Sequence, residues 1–219
     1  MLKKIITTAV LAGSSLGMMG ANAATPGVYV TGQLGYADTH MQNRVGYTWN
    51  TGDELTKLNK LSNNGLAGRV AVGYQFNPNF ALEAGYLNVA GKSYTGPIVE
   101  HSKTADYKFQ LGQYAYDLNA KGILPVSDQL NVYAKAGIAY LTTTLDQRAV
   151  GDSHADYDLA INTPRRVWAP EAAVGVSYDI TPNLPIDLSW THIQTVGNKN
   201  KDTLGNIDFV AVGLGYHFG

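Results

Sequence analysis

Cysteine is absent from this sequence, and charge of either sign is sparse. The lack of cysteine excludes disulfide crosslinks, thiolate catalysis and zinc–thiolate sites. With 16 basic and 17 acidic residues, the chain offers no strongly basic surface, so we expect no nucleic-acid partner. The five histidines are scattered along the sequence, and we predict neither a metal site nor another cofactor.

Long apolar runs are also missing after residue 23. A membrane-spanning helix needs about 18 consecutive apolar residues, and no stretch of that length occurs there. Residues 1–23 combine two lysines, a short apolar run and an Ala-Asn-Ala cleavage signal. We interpret this segment as a secretory signal peptide removed after Ala23, because a membrane anchor would need a longer apolar run. Residues 24–219 then form one exported domain, either a soluble protein or an outer-membrane barrel.

The clearest pattern lies in the last predicted strand, from Phe209 to Phe218. Large apolar residues recur at every second position, and the positions between them are mostly glycine or alanine. A half-buried strand of a soluble protein would place polar residues opposite its apolar face, because that side would meet water. An apolar face opposite small residues instead indicates a narrow lumen inside and lipid outside. We therefore predict that this strand closes a transmembrane β-barrel.

Seven further strands with the same alternation precede it. Their predicted bounds are 28–36, 66–76, 80–86, 114–122, 130–140, 171–180 and 186–192. Short turns containing proline or asparagine alternate with long polar segments at 38–65, 88–113, 141–170 and 193–206. Outer-membrane barrels have this asymmetry, because their periplasmic turns are short and their extracellular loops are long. The sequence thus predicts an all-β fold, an eight-stranded antiparallel up-and-down transmembrane β-barrel.

Outward aromatic residues are concentrated near the predicted strand ends. Those toward the long loops are Tyr36, Tyr86, Tyr114 and Tyr140, and those toward the short turns are Phe76, Phe80 and Phe218. We interpret them as two girdles at the membrane interfaces.

Four short motifs occur in order along these strands and turns. They are Gly73-Tyr74-Gln75-Phe76-Asn77-Pro78 followed by Glu83, Leu118-Asn119-Ala120-Lys121 followed by Lys135, Tyr178-Asp179-Ile180-Thr181-Pro182, and Gly215-Tyr216-His217-Phe218-Gly219. Together they resemble the N-terminal transmembrane barrel of the outer membrane protein A (OmpA) family. The resemblance implies a polar, largely plugged interior with ion pairs and at most a small or gated pore. The family's peptidoglycan-binding domain has no counterpart before Gly219, and we expect the chain to lack it.

Inward-facing charges are the candidate functional residues of the lumen. Because a charge taken out of water needs a partner, isolated inward charges of both signs predict a paired network. Its predicted members are Arg69, Glu83, Asp117, Lys121 and Lys135. Such a network is either a structural lock that fixes the barrel or an ion gate, and both interpretations remain open at this point.

The resemblance assigns several of these positions, with two departures. Glu83 and Lys121 match lumen charges of the family, and Lys135 matches a lumen arginine position. Ser189 stands where the family has the acid paired with the lumen lysine, with Asp187 nearby on the same face. The start of the closing strand has no arginine, so Glu83 needs another partner, for which we expect Arg69.

The resemblance also implies an outer-membrane protein with a structural and surface-interaction role. Envelope integrity, adhesion and host contact through four extracellular loops all fit this prediction, and a small or gated pore is a further option. We expect a monomer in contact with outer-membrane lipids and lipopolysaccharide. By resemblance to other barrels that end in this way, we expect the outer-membrane assembly machinery to recognise the outward aromatics Tyr216 and Phe218.

Two other classes of function compete with this interpretation. A lipid-modifying barrel enzyme would need a serine, a histidine and a carboxylate on one rim. Ser189 and His192 share a strand but have opposite parity, so we predict no catalytic residues. A soluble lipocalin-like ligand-binding barrel would need large apolar residues inside and polar residues outside, which is the reverse of the pattern found here.

Overall fold

The computed structural model of the protein describes residues 26–40, 64–100, 103–150, 165–195 and 205–218. The predicted signal peptide, residues 1–23, lies outside these ranges. Across the described part of the chain, no helix has the length and the apolar character needed to cross a membrane.

Eight antiparallel strands form the fold. They are β1 (Gly27–Asp38), β2 (Gly65–Asn77), β3 (Phe80–Glu100), β4 (Lys103–Pro125), β5 (Leu130–Val150), β6 (Arg165–Thr181), β7 (Leu184–Ile193) and β8 (Ile207–Phe218). Each strand pairs with its neighbours in sequence, and β8 pairs with β1, which closes the barrel. The predicted fold class is confirmed.

Short polar turns join the strands at one end of the barrel, which we call the turn side; the opposite end is the loop side. Between β2 and β3, the side-chain oxygen of Asn77 accepts a hydrogen bond from the backbone N–H of Asn79 at 2.9 Å. Between β4 and β5, the Ser127 hydroxyl oxygen accepts one from the N–H of Leu130 at 3.1 Å. These side chains replace backbone partners that the strands lose as the chain reverses.

Two predicted loops are shorter than the sequence suggested. The segment expected as loop 88–113 is largely paired, because β3 continues to Glu100 and β4 begins at Lys103. Likewise, β5 continues to Val150 and β6 begins at Arg165. A paired ribbon that rises beyond the membrane meets water, so it no longer needs the apolar alternation that marks a spanning strand. The polar composition of these two segments therefore gave no sign of their backbone pairing.

Large apolar side chains cover the outer wall of the barrel. At mid-strand, Val70, Val174 and Val212 are 60%, 51% and 58% exposed. Such exposure over a whole closed surface is tolerated where the surroundings are lipid. The outward parity predicted for these three residues is confirmed.

Aromatic contacts on the outer wall occur at two levels. On the loop side, the rings of Tyr140 and Trp168 lie 4.8 Å apart between centroids. On the turn side, Phe76 and Phe80 are stacked at 5.7 Å. These are the levels predicted for the interfacial girdles.

Candidate functional site in the barrel lumen

Three layers occupy the lumen between its two ends. A charged network lies in the middle, a cavity with a polar lining opens at the turn side, and an apolar plug lies at the loop side. Along each strand, inward residues alternate with lipid-facing ones. Whether a residue faces the lumen therefore depends on its odd or even position in the strand. The layer to which it contributes depends mainly on how far along the strand it lies.

Arg69 on β2 is the centre of the charged network. Its Nη1 donates to Glu83 Oε1 on β3 at 2.7 Å. It also binds both oxygens of Asp117 on β4, with Nη2–Oδ1 at 2.5 Å and Nε–Oδ2 at 3.0 Å. Lys135 on β5 adds a second cation, with Nζ 2.6 Å from Glu83 Oε1. The network thus links four consecutive strands, and its bidentate pair fixes the plane of the guanidinium.

Gly85 leaves the space in which Arg69 of β2 and Asp117 of β4 pair across β3. It lies directly opposite Asp117 in the register of β3 and β4. A Cβ atom at this position would lie 2.5 Å from Arg69 Nη2 and 2.7 Å from Asp117 Oδ1. Side chains do not approach so closely, so any larger residue would displace the ion pair.

The network is almost completely removed from water. Glu83 is 0% exposed, Arg69 3% and Asp117 6%. Besides its two cations, Glu83 accepts a hydrogen bond at Oε2 from the Tyr29 hydroxyl at 3.0 Å. Removing one partner from a buried pair typically costs about 3–5 kcal/mol, because the other charge is left without compensation. This mutual dependence favours the structural-lock interpretation of the network.

Lys121 lies outside the ion-pair network in which the sequence analysis placed it. It is directly opposite Lys135 in the register of β4 and β5. Within the described residues, however, it forms no ion pair. Its Nζ lies 4.4 Å from the ring centroid of Tyr133 and 5.3 Å from that of Tyr29. Glu83 already has three donors, and repulsion from Lys135 favours a Lys121 side chain directed away from the network.

A second polar cluster is centred on Asp187 of β7. Its Oδ2 accepts hydrogen bonds from Gln33 Nε2 at 2.8 Å and from the Tyr133 hydroxyl at 2.7 Å. Gln33 Nε2 also donates to Ser189 Oγ at 3.1 Å, and Gln33 Oε1 accepts from Arg69 Nη1 at 3.4 Å. Asp187 therefore supplies the acid in this part of the lumen, two residues before the serine that replaces the family's acid.

Glu171 on β6 is a buried acid that the sequence analysis did not select. It is 5% exposed, and its Oε1 accepts a hydrogen bond from Asn119 Nδ2 at 2.9 Å. The same amide donates to Asp117 Oδ1 at 2.9 Å. Among the described residues, Glu171 Oε2 has no hydrogen-bond partner. Glu171 shares the inward parity of Ala173 and Gly175, so extending that pattern by one step identifies it.

Apolar side chains form a plug across the loop side of the lumen, and all eight strands contribute to it. Its largest members, each at most 2% exposed, are Leu87, Val89, Leu141, Ile193, Ile207 and Phe209. The sequence pattern indicated an inner face of mostly small, polar or charged residues, and this apolar layer was not predicted. Phe209 has the parity of Ala211, which is the signal that placed it inside. Because water finds no polar partner among these side chains, this layer is dry.

Two histidines meet one acid at the loop-side rim. His192 Nδ1 lies 2.8 Å from Asp208 Oδ1, and His40 Nδ1 lies 3.5 Å from Asp208 Oδ2. These two histidines are far apart in the sequence and meet because β1, β7 and β8 end side by side. Within the described residues, no group of three or more His, Cys, Asp or Glu side chains could hold a metal ion.

Comparisons with known proteins agree with this architecture. The family model described as OmpA-like transmembrane domain matches residues 23–219. An uncharacterized protein of Coxiella burnetii (strain RSA 493 / Nine Mile phase I) is 31% identical, with 95% of this chain and 92% of that protein covered. Outer membrane protein A of Salmonella typhi is 28% identical over 87% of this chain, which spans only 48% of that protein.

A solved structure has the same fold. The crystal structure of Neisserial surface protein A (NspA) matches with a TM-score of 0.55 and 18% identity, covering 90% of this chain and 99% of that chain. At this level of identity the likeness concerns the fold alone.

Proposed function

Because this chain belongs to the family of OmpA-like transmembrane domains and is an outer-membrane β-barrel, we propose that it works as a closed membrane anchor that presents its loop-side segments at the cell surface. Its role is then structural and interactive: envelope integrity, adhesion or host contact. Outer-membrane lipids and lipopolysaccharide surround the barrel, which acts as a monomer and is inserted by the outer-membrane assembly machinery.

The apolar plug is the observation that supports a closed anchor over a pore. All eight strands contribute to it, and Leu141, Ile207 and Phe209 are each 0% exposed. An ion that crosses a dry apolar constriction loses its hydration without gaining polar partners. The charged network below the plug adds cross-links between strands and leaves its own charges paired. Both layers favour mechanical stability over conduction.

The competing classes of function are not favoured by the geometry. Ser189 faces the lumen and accepts a hydrogen bond from Gln33, whereas His192 lies at the rim beside Asp208. These two residues therefore do not form the nucleophile–base pair that a hydrolase needs. A soluble ligand-binding barrel would expose polar residues, yet Val70 and Val212 are 60% and 58% exposed on the outer wall.

A deletion strain distinguishes an anchor from a pore. We expect loss of the protein to reduce surface attachment or resistance to detergent, with uptake of small solutes unchanged. Complementation with a barrel whose four loop-side connections are shortened separates the two anchor roles, since detergent resistance needs the barrel and attachment needs the loops. Reduced solute uptake with normal attachment and normal detergent resistance would contradict the proposal.

A further inference from the structure

The turn side of the lumen contains a cavity of about 720 Å³. Its lining includes Thr31, Gln75, Lys121, Asn131, Tyr133 and His217. The charged network and the apolar plug close it toward the loop side, so the cavity is reached from the end that carries the short turns. Its volume lies in the range of small-molecule sites, which is about 300–1,000 Å³.

Two hydrogen-bond donors in this lining have no protein partner among the described residues. Lys121 forms ring contacts but no ion pair or hydrogen bond. Gln75 is only 3% exposed, and its amide forms no hydrogen bond to the described residues. Both side chains line the cavity, so a ligand that accepts hydrogen bonds would satisfy donors that no protein group satisfies.

The register places these two donors on one level of the sheet. Gln75 on β2 is opposite Ala81 on β3, and Ala81 is opposite Lys121 on β4. Ala81 is the residue between Gln75 and Lys121 at this level of the inner wall, and its side chain is only a methyl group. The aromatic rings of Tyr29 and Tyr133 lie beside the ammonium group and limit its movement.

The nearby acids explain why Lys121 remains unpaired, and they limit the charge of a ligand. Asp187 is engaged by Tyr133 and Gln33. Asp179, also in the lining, accepts a hydrogen bond from Asn131 Nδ2 at 3.0 Å. These negative charges disfavour a ligand with two negative charges, whereas the unpaired ammonium of Lys121 favours a ligand with one.

From this geometry we propose that the turn-side cavity binds a small monocarboxylate, with Lys121 pairing with the carboxylate and with Gln75 donating a hydrogen bond to one of its oxygens. The site is separate from the loop-side surface role. A barrel could lack it and still act as an anchor, so the two proposals fail independently.

The test uses the mature protein folded in detergent micelles and titrated with acetate, while the side-chain amide resonances of Gln75 are followed by NMR. We expect a saturable shift with acetate and little response to acetamide, which has nearly the same shape but no charge. Lys121→Met should abolish the shift, and Lys121→Arg should retain it because the charge is kept.

The outcomes separate a carboxylate site from general salt effects. An equal response in wild type and Lys121→Met, or an equal response to acetate and acetamide, would overturn the proposal. A change of electrophoretic mobility on heating verifies that each variant is folded. If Lys121→Met does not fold, Lys121→Gln together with the acetamide comparison still decides the question.

Discussion

Arg69 on β2 and Asp117 on β4 form a bidentate ion pair across the intervening strand, above Gly85 of β3. The two contacts are Nη2–Oδ1 at 2.5 Å and Nε–Oδ2 at 3.0 Å. Two strands that share no backbone hydrogen bond are thereby tied together inside the barrel. The ion pair depends on Gly85 because any side chain at that position would overlap both partners.

We expect Gly85→Ala to destabilise the barrel by about 1–3 kcal/mol, the usual cost of forcing an additional methyl group into a packed interior. The new Cβ would lie 2.5 Å from Arg69 Nη2. Reversible urea unfolding in lipid vesicles measures the change. Gly32→Ala is the matched control, because a Cβ at Gly32 meets nothing within 4 Å. Equal stability of the two variants would show that the clearance at Gly85 is unimportant.

Glu83 should be energetically coupled to Lys135 much more strongly than to Lys121. Lys135 and Lys121 are directly opposite each other, but only Lys135 forms an ion pair with Glu83, at 2.6 Å. In a double-mutant cycle of Glu83→Gln with Lys135→Met, we expect a coupling well above about 0.5 kcal/mol. The matched cycle with Lys121→Met should give a smaller value. Equal couplings would mean that the assignment of the two lysines to different layers is wrong.

Val212→Arg should lower the free energy of unfolding in lipid by about 2–4 kcal/mol, because a charge on the lipid face near the bilayer midplane loses its hydration. Val212 is 58% exposed at the middle of β8. The control is Val126→Arg, since Val126 is also 58% exposed but lies in the turn between β4 and β5. Urea titration of both variants in the same vesicles provides the comparison. A similar loss in both would contradict the assignment of Val212 to the lipid face.

Phe209→Ala should open the plug. Removing the ring of a residue that is 0% exposed should cost about 3–5 kcal/mol of stability. Urea unfolding in lipid vesicles measures the loss. Leu214→Ala is the control, because Leu214 is 53% exposed on the outer wall. Equal losses in the two variants would contradict the burial of Phe209 in the plug.

The double variant Tyr216→Ala, Phe218→Ala should remain in the periplasm if these aromatics form the assembly signal. Their rings contact each other edge to face at 5.0 Å. Tyr74→Ala, Phe76→Ala is a matched control, with the same contact at 5.0 Å on β2. Protease treatment of intact cells reports surface exposure. Normal exposure of the β8 variant, or an equal defect in both, would exclude a specific signal in the closing strand.

Much of the architecture follows from parity, and the rest depends on relations between strands. Period-2 alternation placed Arg69, Glu83 and Asp117 in the lumen, because the pattern within one strand determines its faces. The direction of a long side chain within the lumen, however, depends on its neighbours. Lys121 and Lys135 are directly opposite each other, and only the structure shows that Lys135 reaches Glu83 while Lys121 lies beside Tyr133.

The other differences between prediction and structure concern the space at Gly85, the apolar plug and the length of β3 and β4. The role of Gly85 arises only once Arg69 and Asp117 are placed on either side of it. The plug was missed because the inward face was expected to stay small, whereas Leu87 and Phe209 fill it where no charge is present. Polar composition also concealed the upper parts of β3 and β4, since backbone pairing does not require apolar side chains.

The paired ribbon of β3 and β4 extends the barrel wall far beyond the loop-side aromatic level. Beyond Tyr114, β4 extends to Lys103, or about 11 residues. At about 3.3 Å per residue and a tilt near 45°, this corresponds to a rise of about 25 Å above the loop-side aromatic level. Deleting two residues from each arm would preserve the pairing of the two strands and lower the end of the ribbon by about 5 Å. The length of the ribbon can therefore change in steps of two residues per arm without a change of strand register.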